Sequence, residues 1–463
     1  MRKLITILAI TLLISGLIGC EKYVTGFEAD PLSPVDAGAL KQFVGAQLNY
    51  ALFTEGTASW MASIWAQQAR GADRQFSAFE VYNVTNGDYG NDWALAYRAL
   101  SNLRTVQDKA TAAGQTNLKG VAEILEGFHM GTVAAVWGDV PYSQAAQPDV
   151  TLTPAYDGQL AVYTAVQAEL DRGIADLTAS TLPITQDVFT SAGSATRWLK
   201  LGHSAKARYL MHTARSQGYS AAILNQIITE AQQGILATNG TEDMKMTHGA
   251  TQNGNQNPWY DFMANNRSGY IDAVNNFAIP MMNAAKLVDL KTDEVGRLAF
   301  YFTANGNDFN RAAGGAYAVD ASYPLFRASE THLLMAEAYV RLGNTASALT
   351  ELNSARTYNN SVFGNKSASF VAADFPTTAA LQQAIFNETY LSLMNQIEAW
   401  NFLRRIDFAI SYKNSSGATV TMTPRRGTEF PQRFVYSVDE FTANPNMPKE
   451  VTNAQFVRTA VNK

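Results

Sequence analysis

The chain has 463 residues, with 35 lysines and arginines against 40 aspartates and glutamates, and a formal net charge of −5 at pH 7. An acidic chain lacks the basic surface that nucleic-acid phosphates require, so we expect no nucleic-acid partner. Cys20 is the only cysteine, which excludes a disulfide within the chain. The five histidines form no HExxH pair and no Cys/His cluster, so we expect no zinc-type metal site and no cofactor.

A positively charged start and an apolar run mark the N-terminus. Arg2 and Lys3 precede apolar residues 4 to 18, a run shorter than the roughly 20 residues that a transmembrane helix needs. We therefore predict a secretory signal peptide over residues 1 to 19. The approach to Cys20 resembles a bacterial lipobox, and this resemblance implies that Cys20 is lipidated and anchors the protein to a membrane. An ordinary signal peptide with an unrelated cysteine is the alternative.

A tether and then a helical body follow. Residues 20 to 36 contain glycine, two prolines and few apolar side chains, which is typical of a flexible connection. From residue 37 onward, apolar side chains recur at helical spacing, as at Tyr163, Val166 and Leu170, whereas alternating, strand-like runs are few and short. The pattern predicts one all-α domain over residues 37 to 463.

Residues 70 to 93 are the first stretch with the composition of a binding site. Aromatic rings can pack against the C–H face of a sugar while neighbouring amides and guanidinium groups bind its hydroxyls. The candidate ligand-binding residues here are Arg74, Tyr82, Tyr89 and Trp93. The alternative is structural: Trp93 is spaced with Tyr97 as on one buried helix face, and the arginines can pair with nearby aspartates.

The run WGDVPYSQA, residues 137 to 145, ends a predicted helix over residues 118 to 137. Pro141 cannot continue a helix, and Gly138 permits the reversal that a helix end requires. We expect Asp139 to bind backbone N–H groups in the turn. Trp137 and Tyr142 are then predicted to pack on either side of the corner, which gives this run a scaffold role.

Two long polar segments, residues 237 to 275 and 303 to 324, separate later helices. Loops of this length inside a domain are usually functional or disordered, and their aromatic residues argue against disorder. Trp259 and Tyr260 follow Pro258 in the first segment, where a core role is hard to arrange from the sequence. The candidate ligand-binding residues of this second stretch, 253 to 270, are Trp259, Tyr260, Arg267 and Tyr270.

Residues 336 to 355 carry the spacing of a tetratricopeptide helix pair. Ala336 and Ala348 allow close approach of two antiparallel helices, Tyr339 and Leu352 fill the seam, and Gly343 supplies a left-handed cap. One such pair cannot bury its apolar face alone, so we expect other, degenerate pairs. The weaker candidates for members of such pairs are the helices predicted at residues 118 to 137, 159 to 178, 196 to 216 and 380 to 404.

Motifs for enzyme chemistry are absent from the sequence. It contains no GxxxxGK[ST] loop, no GxGxxG following a strand and no GxSxG elbow. A glycosidase carboxylate pair cannot be nominated among 40 acidic residues. We therefore expect a binding protein and no enzyme, with a surface glycoside hydrolase and a tetratricopeptide-type assembly module without ligand binding as the alternatives.

WGDVPYSQA also resembles the WGD-[VI]-P-Y-S-x-A segment of the SusD/RagB family of Bacteroidetes outer-membrane lipoproteins. Residues 154 to 177, 196 to 214, 323 to 344, 397 to 407 and 430 to 444 resemble later segments of that family. Asn257 to Tyr260 match the NP-x-Y loop of its SusD-like subgroup. Two departures occur: Glu294, Val295 and Gly296 replace an N-D-P run, and Ser437 replaces a proline.

The resemblance implies an all-α, SusD-like fold in which irregular tetratricopeptide helices carry long ligand-binding loops. It implies a lipid-anchored outer-membrane protein that faces the cell exterior and binds an oligosaccharide, or a peptide, without covalent chemistry. The implied partner is a SusC-like TonB-dependent transporter, to which the ligand is delivered.

Overall fold

The computed structural model describes residues 37 to 190, 193 to 252 and 254 to 463, without the side chains of residues 286 and 287. The predicted signal peptide, the tether and Cys20 lie outside the described residues. Within those residues the structure is dominated by helices, as predicted, and no helix is long and apolar enough to cross a membrane.

The helices are α1 (Ala39–Glu55), α2 (Thr57–Trp65), α3 (Arg74–Glu80), α4 (Gly90–Ala112), α5 (Thr116–Trp137), α6 (Gln159–Ala179), α7 (Ala195–Ala214), α8 (Ala221–Ala231), α9 (Pro258–Tyr260), α10 (Ala278–Asp289), α11 (Val295–Tyr301), α12 (Ala328–Arg341), α13 (Thr345–Phe363), α14 (Thr378–Ser392), α15 (Ile397–Arg405) and α16 (Val438–Ala443). Short 3-10 turns lie at Asn86–Tyr89, Ala372–Asp374, Ala454–Phe456 and Ala460–Asn462, and a π-helical turn, Asp261–Asn266, continues α9. The strands are β1 (Arg70–Gly71), β2 (Met244–Met246), β3 (Ile271–Asp272), β4 (Tyr323–Phe326), β5 (Ser411–Lys413) and β6 (Thr419–Thr421). They form three antiparallel pairs, β1 with β3, β2 with β4 and β5 with β6.

Glycines set the spacing of the central helices α5 and α6. A Cβ atom built on Gly127 would lie 2.7 Å from Leu170 Cγ, and one on Gly173 would lie 2.7 Å from the carbonyl oxygen of Gly120. Such distances leave no room for a side chain, so these glycines allow the two helices to pack closely. Nearly every side chain of α5 from Gly120 onward is buried, which makes it the central helix of the scaffold.

The helix pair predicted over residues 336 to 355 is present as α12 and α13. Gly343 lies between them with φ +78°, the left-handed conformation expected of this cap. Ala336, Ala348 and Leu352 are buried in a small apolar cluster that also includes residues from α14. Sequence spacing therefore predicted this local unit correctly.

The expected single helix over residues 380 to 404 is wrong, because the structure has two helices there, α14 and α15. Asn395 lies between them with φ +55°. Its N–H donates to Gln68 Oε1 over 2.7 Å, and its carbonyl accepts the hydroxyl of Ser59 over 2.8 Å. Contacts with α2 and with the segment after it thus keep the chain non-helical between α14 and α15.

Buried ion pairs join helices that are distant in sequence. Arg208 of α7 binds both carboxylate oxygens of Glu330 of α12 over 2.6 Å. Arg297, which is fully buried, binds Glu294 over 2.7 Å and Glu388 over 2.8 Å. Breaking one partner of such a pair would leave an uncompensated buried charge, so these pairs fix how the helices are arranged.

Candidate functional site

The β1–β3 pair brings the two predicted binding stretches together. Arg70 is paired with Asp272 in the strand register, and the Arg70 guanidinium binds both oxygens of the Asp272 carboxylate. The N–H of Ala72 donates to the carbonyl of Tyr270 over 2.8 Å. Residues 70 to 74 and 260 to 272 therefore form one edge of the molecule, although about 200 residues separate them in the chain.

A layer of aromatic rings supports this edge from below. The ring of Phe262 lies 4.0 Å from that of Trp60 and 5.1 Å from that of Phe76, measured between centroids. The Tyr270 ring stands edge-on to both Phe76 and Phe262, at 6.3 Å from each. Because the layer is packed, the partly exposed ring of Tyr270 has a defined orientation.

Asn257 shapes the turn that holds Trp259 and Tyr260. Its Oδ1 accepts the N–H groups of Trp259 over 2.9 Å and of Tyr260 over 3.2 Å, and Pro258 occupies the first helical position. Its Nδ2 donates to the carbonyl of Ala321 over 2.8 Å. The side chain of Asn257 thus fixes the two polar segments, 237 to 275 and 303 to 324, against each other.

Four of the eight candidate side chains lie at the surface of this edge. Arg74 and Arg267 are exposed, and Tyr260 and Tyr270 are half-buried. The Arg267 guanidinium carbon lies 5.9 Å from the centroid of the Tyr270 ring. We call the surface formed by Arg74, Tyr260, Arg267 and Tyr270 the loop face. It presents aromatic rings beside hydrogen-bond donors, which is the combination that sugar binding requires.

The other four candidates point inward, and none of them offers a ring face to solvent. Trp259 is 0% exposed and packs edge-on to Trp60 at 6.3 Å. Trp93 donates from Nε1 to Glu440 over 3.2 Å, and the ring of Tyr89 lies 4.8 Å from that of Phe434. The hydroxyl of Tyr82 accepts the N–H of Arg425, and burial raises the pKa of Tyr82 to about 12. In this structure the four side chains therefore have a structural role. The sequence offered that role as the alternative for Trp93, whereas it made a core role hard to arrange for Trp259, which is fully buried.

One charged pair at the edge joins Glu80 and Arg425. Glu80 accepts the N–H of Gly71 over 3.0 Å and lies 3.3 Å from the Arg425 guanidinium. Burial raises the pKa of Glu80, and Arg425 opposes that rise. Arg74 begins α3 with φ +53°, a conformation that costs energy for a residue with a side chain.

A cleft of about 600 Å³ lies between α10, α11 and the start of segment 303 to 324, which a hydrogen bond joins to the end of β3. Its lining is uncharged and includes Ile279, Asn283, Phe302, Asn305 and Asn310. The N–H of Ala273, directly after β3, donates to the backbone carbonyl of Asn307 in the same loop over 3.2 Å. The sequence marked segment 303 to 324 as functional but nominated no residue in it, because scattered asparagines carry no spacing signal.

Among residues 37 to 190, 193 to 252 and 254 to 463, no group of three or more histidine, aspartate or glutamate side chains is gathered to hold a metal ion. The loop face offers tyrosine rings and guanidinium groups, and the cleft offers asparagine amides beside aliphatic side chains and Phe302. Such an arrangement can bind a polar ligand with flat apolar faces.

The match to a protein-family model shows which family the chain belongs to. The SusD-like model, described as starch-binding and associating with the outer membrane, matches residues 45 to 436. The chain belongs to this SusD-like family. No curated protein sequence matches the chain.

Solved structures share the fold. A SusD/RagB family protein from Bacteroides thetaiotaomicron is 20% identical, with a TM-score of 0.65, covering 89% of this chain and 95% of that one. A SusD homologue from Bacteroides fragilis is 18% identical, with a TM-score of 0.68 and coverages of 92% and 100%. A chitin-binding SusD homologue from Flavobacterium johnsoniae is 17% identical, with a TM-score of 0.66 and coverages of 91% and 98%.

The SusD-like motif WGDVPYSQA forms the predicted corner. Gly138 has φ +92° and ends α5, and Val140 exchanges two backbone hydrogen bonds with Asp157. Asp139 accepts the N–H of Gln159 over 2.8 Å, at the start of α6 and not within the turn itself. Trp137 is fully buried and donates from Nε1 to the carbonyl of Val435 over 3.1 Å. The corner therefore joins α5, α6 and the closing segment of the chain, and its scaffold role is confirmed.

Proposed function

We propose that this SusD-like protein is a surface-exposed lipoprotein of the outer membrane that captures glycans and delivers them to a TonB-dependent transporter. The family match over residues 45 to 436 carries the proposal, because the family is described as starch-binding and associated with the outer membrane. Binding without chemical turnover is sufficient for this role.

The loop face is the proposed ligand site. Its two half-buried tyrosines offer ring surface, and Arg74 and Arg267 offer guanidinium donors within the same edge. The uncharged cleft between α10 and α11 would accept further sugar units, since its amides can bind hydroxyls and Ile279 and Phe302 can pack against ring C–H groups. A neutral oligosaccharide is the ligand that this combination favours.

Isothermal titration of the full-length protein in detergent tests the ligand class. The panel contains neutral oligosaccharides, with starch and chitin fragments among them, and short peptides of matched size. We expect a neutral oligosaccharide to bind and the peptides not to bind. If peptides bind and oligosaccharides do not, the ligand is a peptide and not a glycan. If neither class binds, the alternative of an assembly module without ligand binding is favoured.

Membrane anchoring and the partner are tested separately. We expect the wild-type protein to fractionate with outer membranes and to co-purify with a TonB-dependent transporter, whereas Cys20→Ser is released. A transporter that co-purifies equally well with an unrelated outer-membrane lipoprotein would contradict the proposed partnership. Lipidation of Cys20 would be contradicted by an unmodified thiol in the mass spectrum of the mature chain.

A further inference from the structure

A second cleft, of about 500 Å³, lies beside the β2–β4 pair and the end of α13. Lys245 of β2, Phe300 of α11, Arg327 directly after β4, and Tyr358 and Phe363 of α13 contribute to its walls. Its lining differs from that of the cleft between α10 and α11, because it includes charged side chains. We call it the cationic cleft.

Arg327 is the feature of this cleft that the scaffold does not explain. Its side chain is buried, with 7% of the residue exposed, and Nη1 donates to Tyr301 Oη over 2.7 Å and to the carbonyl of Ser392 over 3.3 Å. Among the described residues, no carboxylate lies within 4 Å of its guanidinium, and Nε and Nη2 have no acceptor. A buried guanidinium with two unused donors is costly, so a partner from outside the chain would stabilise it.

Other buried arginines of this protein hold carboxylates through the edge that is free in Arg327. Arg208 binds Glu330 through Nε and Nη2, each over 2.6 Å, and Arg297 binds Glu294 through the same two atoms over 2.7 and 2.8 Å. Parallel donation from these atoms matches the two oxygens of a carboxylate. In Arg327 the same pair of donors is unoccupied.

The charges around Arg327 leave a positive excess. Lys245 is exposed and has no carboxylate within 4 Å in the described part of the chain. Asp243 is the only acidic side chain in the lining, and its oxygens already accept the N–H of Ala328 over 3.0 Å and the hydroxyl of Tyr358. Two cations therefore face one carboxylate, in a protein whose overall charge is negative.

Two rings form an apolar wall next to these cations. The rings of Phe300 and Phe363 are both partly exposed, and their centroids lie 5.2 Å apart. The guanidinium carbon of Arg327 lies 5.4 Å from the centroid of Phe363. A carboxylate at Arg327 would therefore place the atoms attached to it against an aromatic surface.

We propose that the cationic cleft is a second binding site, which takes a carboxylate-bearing sugar, a uronic acid residue of an acidic glycan. Its carboxylate binds Nε and Nη2 of Arg327 and the ammonium of Lys245, and its ring packs against Phe300 and Phe363. The choice of a sugar rests on the proposed function, whereas the carboxylate specificity rests on Arg327 and Lys245. The cleft volume lies within the roughly 300–1,000 Å³ of small-ligand sites.

Isothermal titration of the full-length protein with galacturonic acid oligomers, and with galactose oligomers of the same length, tests this site. The variants are Lys245→Glu, which reverses an exposed charge, and Arg327→Lys, which keeps the charge but loses the paired donors. Lys41→Glu is the matched control, because it makes the same charge change at an exposed position of α1. Thermal melting of each variant separates lost binding from lost folding.

We expect the acidic oligomer to bind about tenfold or more tightly than the neutral one, and Lys245→Glu to weaken it by about fivefold or more. Lys41→Glu should change its affinity less than about twofold, because distant surface charges are screened. Equal binding of the two oligomers, or equal effects of Lys245→Glu and Lys41→Glu, would overturn the proposal. A peptide carboxylate that binds more tightly than the acidic sugar, and depends on Lys245, would overturn the choice of a sugar.

The two proposals fail separately. Suppose that binding of a neutral oligosaccharide depends on Tyr270, and that the affinity of the acidic oligomer does not change in Lys245→Glu. The second site is then absent, and the proposed function stands. If the affinity for the acidic oligomer depends on Lys245 while neutral oligosaccharides do not bind, the second site is supported and the proposed role of the loop face is contradicted.

Discussion

The corner at residues 137 to 145 and the loop face have similar side chains but opposite surroundings. Both combine aromatic rings with polar groups. At the corner, the closing segment of the chain covers Trp137: the Phe434 ring lies 5.7 Å from it, and the Val435 carbonyl accepts its Nε1–H. At the loop face, Tyr260 and Tyr270 keep part of their surface exposed.

Composition alone therefore does not separate a binding surface from a core. A tryptophan or tyrosine next to aspartate and glycine serves either role, and the outcome depends on whether a distant segment returns to cover it. The corner is covered and therefore stabilises the fold. The loop face lacks such a cover among the described residues and keeps ring surface for a ligand.

The largest expected effect is that of Trp137→Ala. We expect it to lower the free energy of unfolding by about 3–5 kcal/mol, because it removes a fully buried ring and leaves a cavity. Chemical denaturation measures the loss, and Tyr260→Ala is the control, with an expected loss of about 1 kcal/mol or less. Equal losses of unfolding free energy in the two variants would contradict the conclusion that the corner, and not the loop face, stabilises the fold.

Asp92, in the interior beside Trp93, should make stability depend on pH. Burial raises the pKa of Asp92 to about 7, and the Ala58 N–H opposes that rise. The folded state therefore keeps a proton that the unfolded state loses near pH 4, so this carboxyl group lowers stability as pH rises from about 4 to about 7.

Asp92→Asn removes this titration. Relative to the variant, the wild-type free energy of unfolding should fall by roughly 2–3 kcal/mol between pH 5 and pH 8, at about 1.4 kcal/mol per pKa unit. Denaturation at both pH values measures the change, with Asp320→Asn as an exposed control. A difference between wild type and Asp92→Asn that does not vary with pH would show that Asp92 is ionised throughout.

Asn257→Ala tests how the loop face is held. The substitution removes the cap of α9 and the hydrogen bond to Ala321, so we expect a stability loss of about 1 kcal/mol. Asn257→Ser keeps an accepting oxygen for the cap without a charge and should recover part of that loss, whereas Asn265→Ala, at an exposed position, should have little effect. An equal loss in the alanine and serine variants would mean that the cap does not stabilise this turn.

Local chemistry explains which parts of the fold the sequence predicted. The α12–α13 pair follows from small residues and Gly343 within 20 positions, and the corner follows from Gly138 and Pro141. The break between α14 and α15 escaped prediction, because Gln68 and Ser59 hold Asn395 from more than 300 residues away. The sequence of residues 380 to 404 contains no local signal of those long-range contacts.

The same cause limited the prediction of the site. The sequence identified both stretches that meet at the loop face. It could not show that Tyr82, Tyr89 and Trp93 are covered, since their partners Arg425, Phe434 and Glu440 lie near the other end of the chain. The solvent exposure of the eight candidate side chains, which only the structure shows, therefore separates surface candidates from buried ones.

Ligand titration of a variant carrying both Tyr260→Ala and Tyr270→Ala shows directly whether the loop face binds the ligand, using an oligosaccharide that the wild-type protein binds. The matched control is Tyr339→Ala, at a half-buried tyrosine of α12. We expect the double variant to lose about tenfold or more in affinity while its melting temperature stays near that of the control. Wild-type affinity in the double variant would contradict the assignment of the loop face as the ligand site.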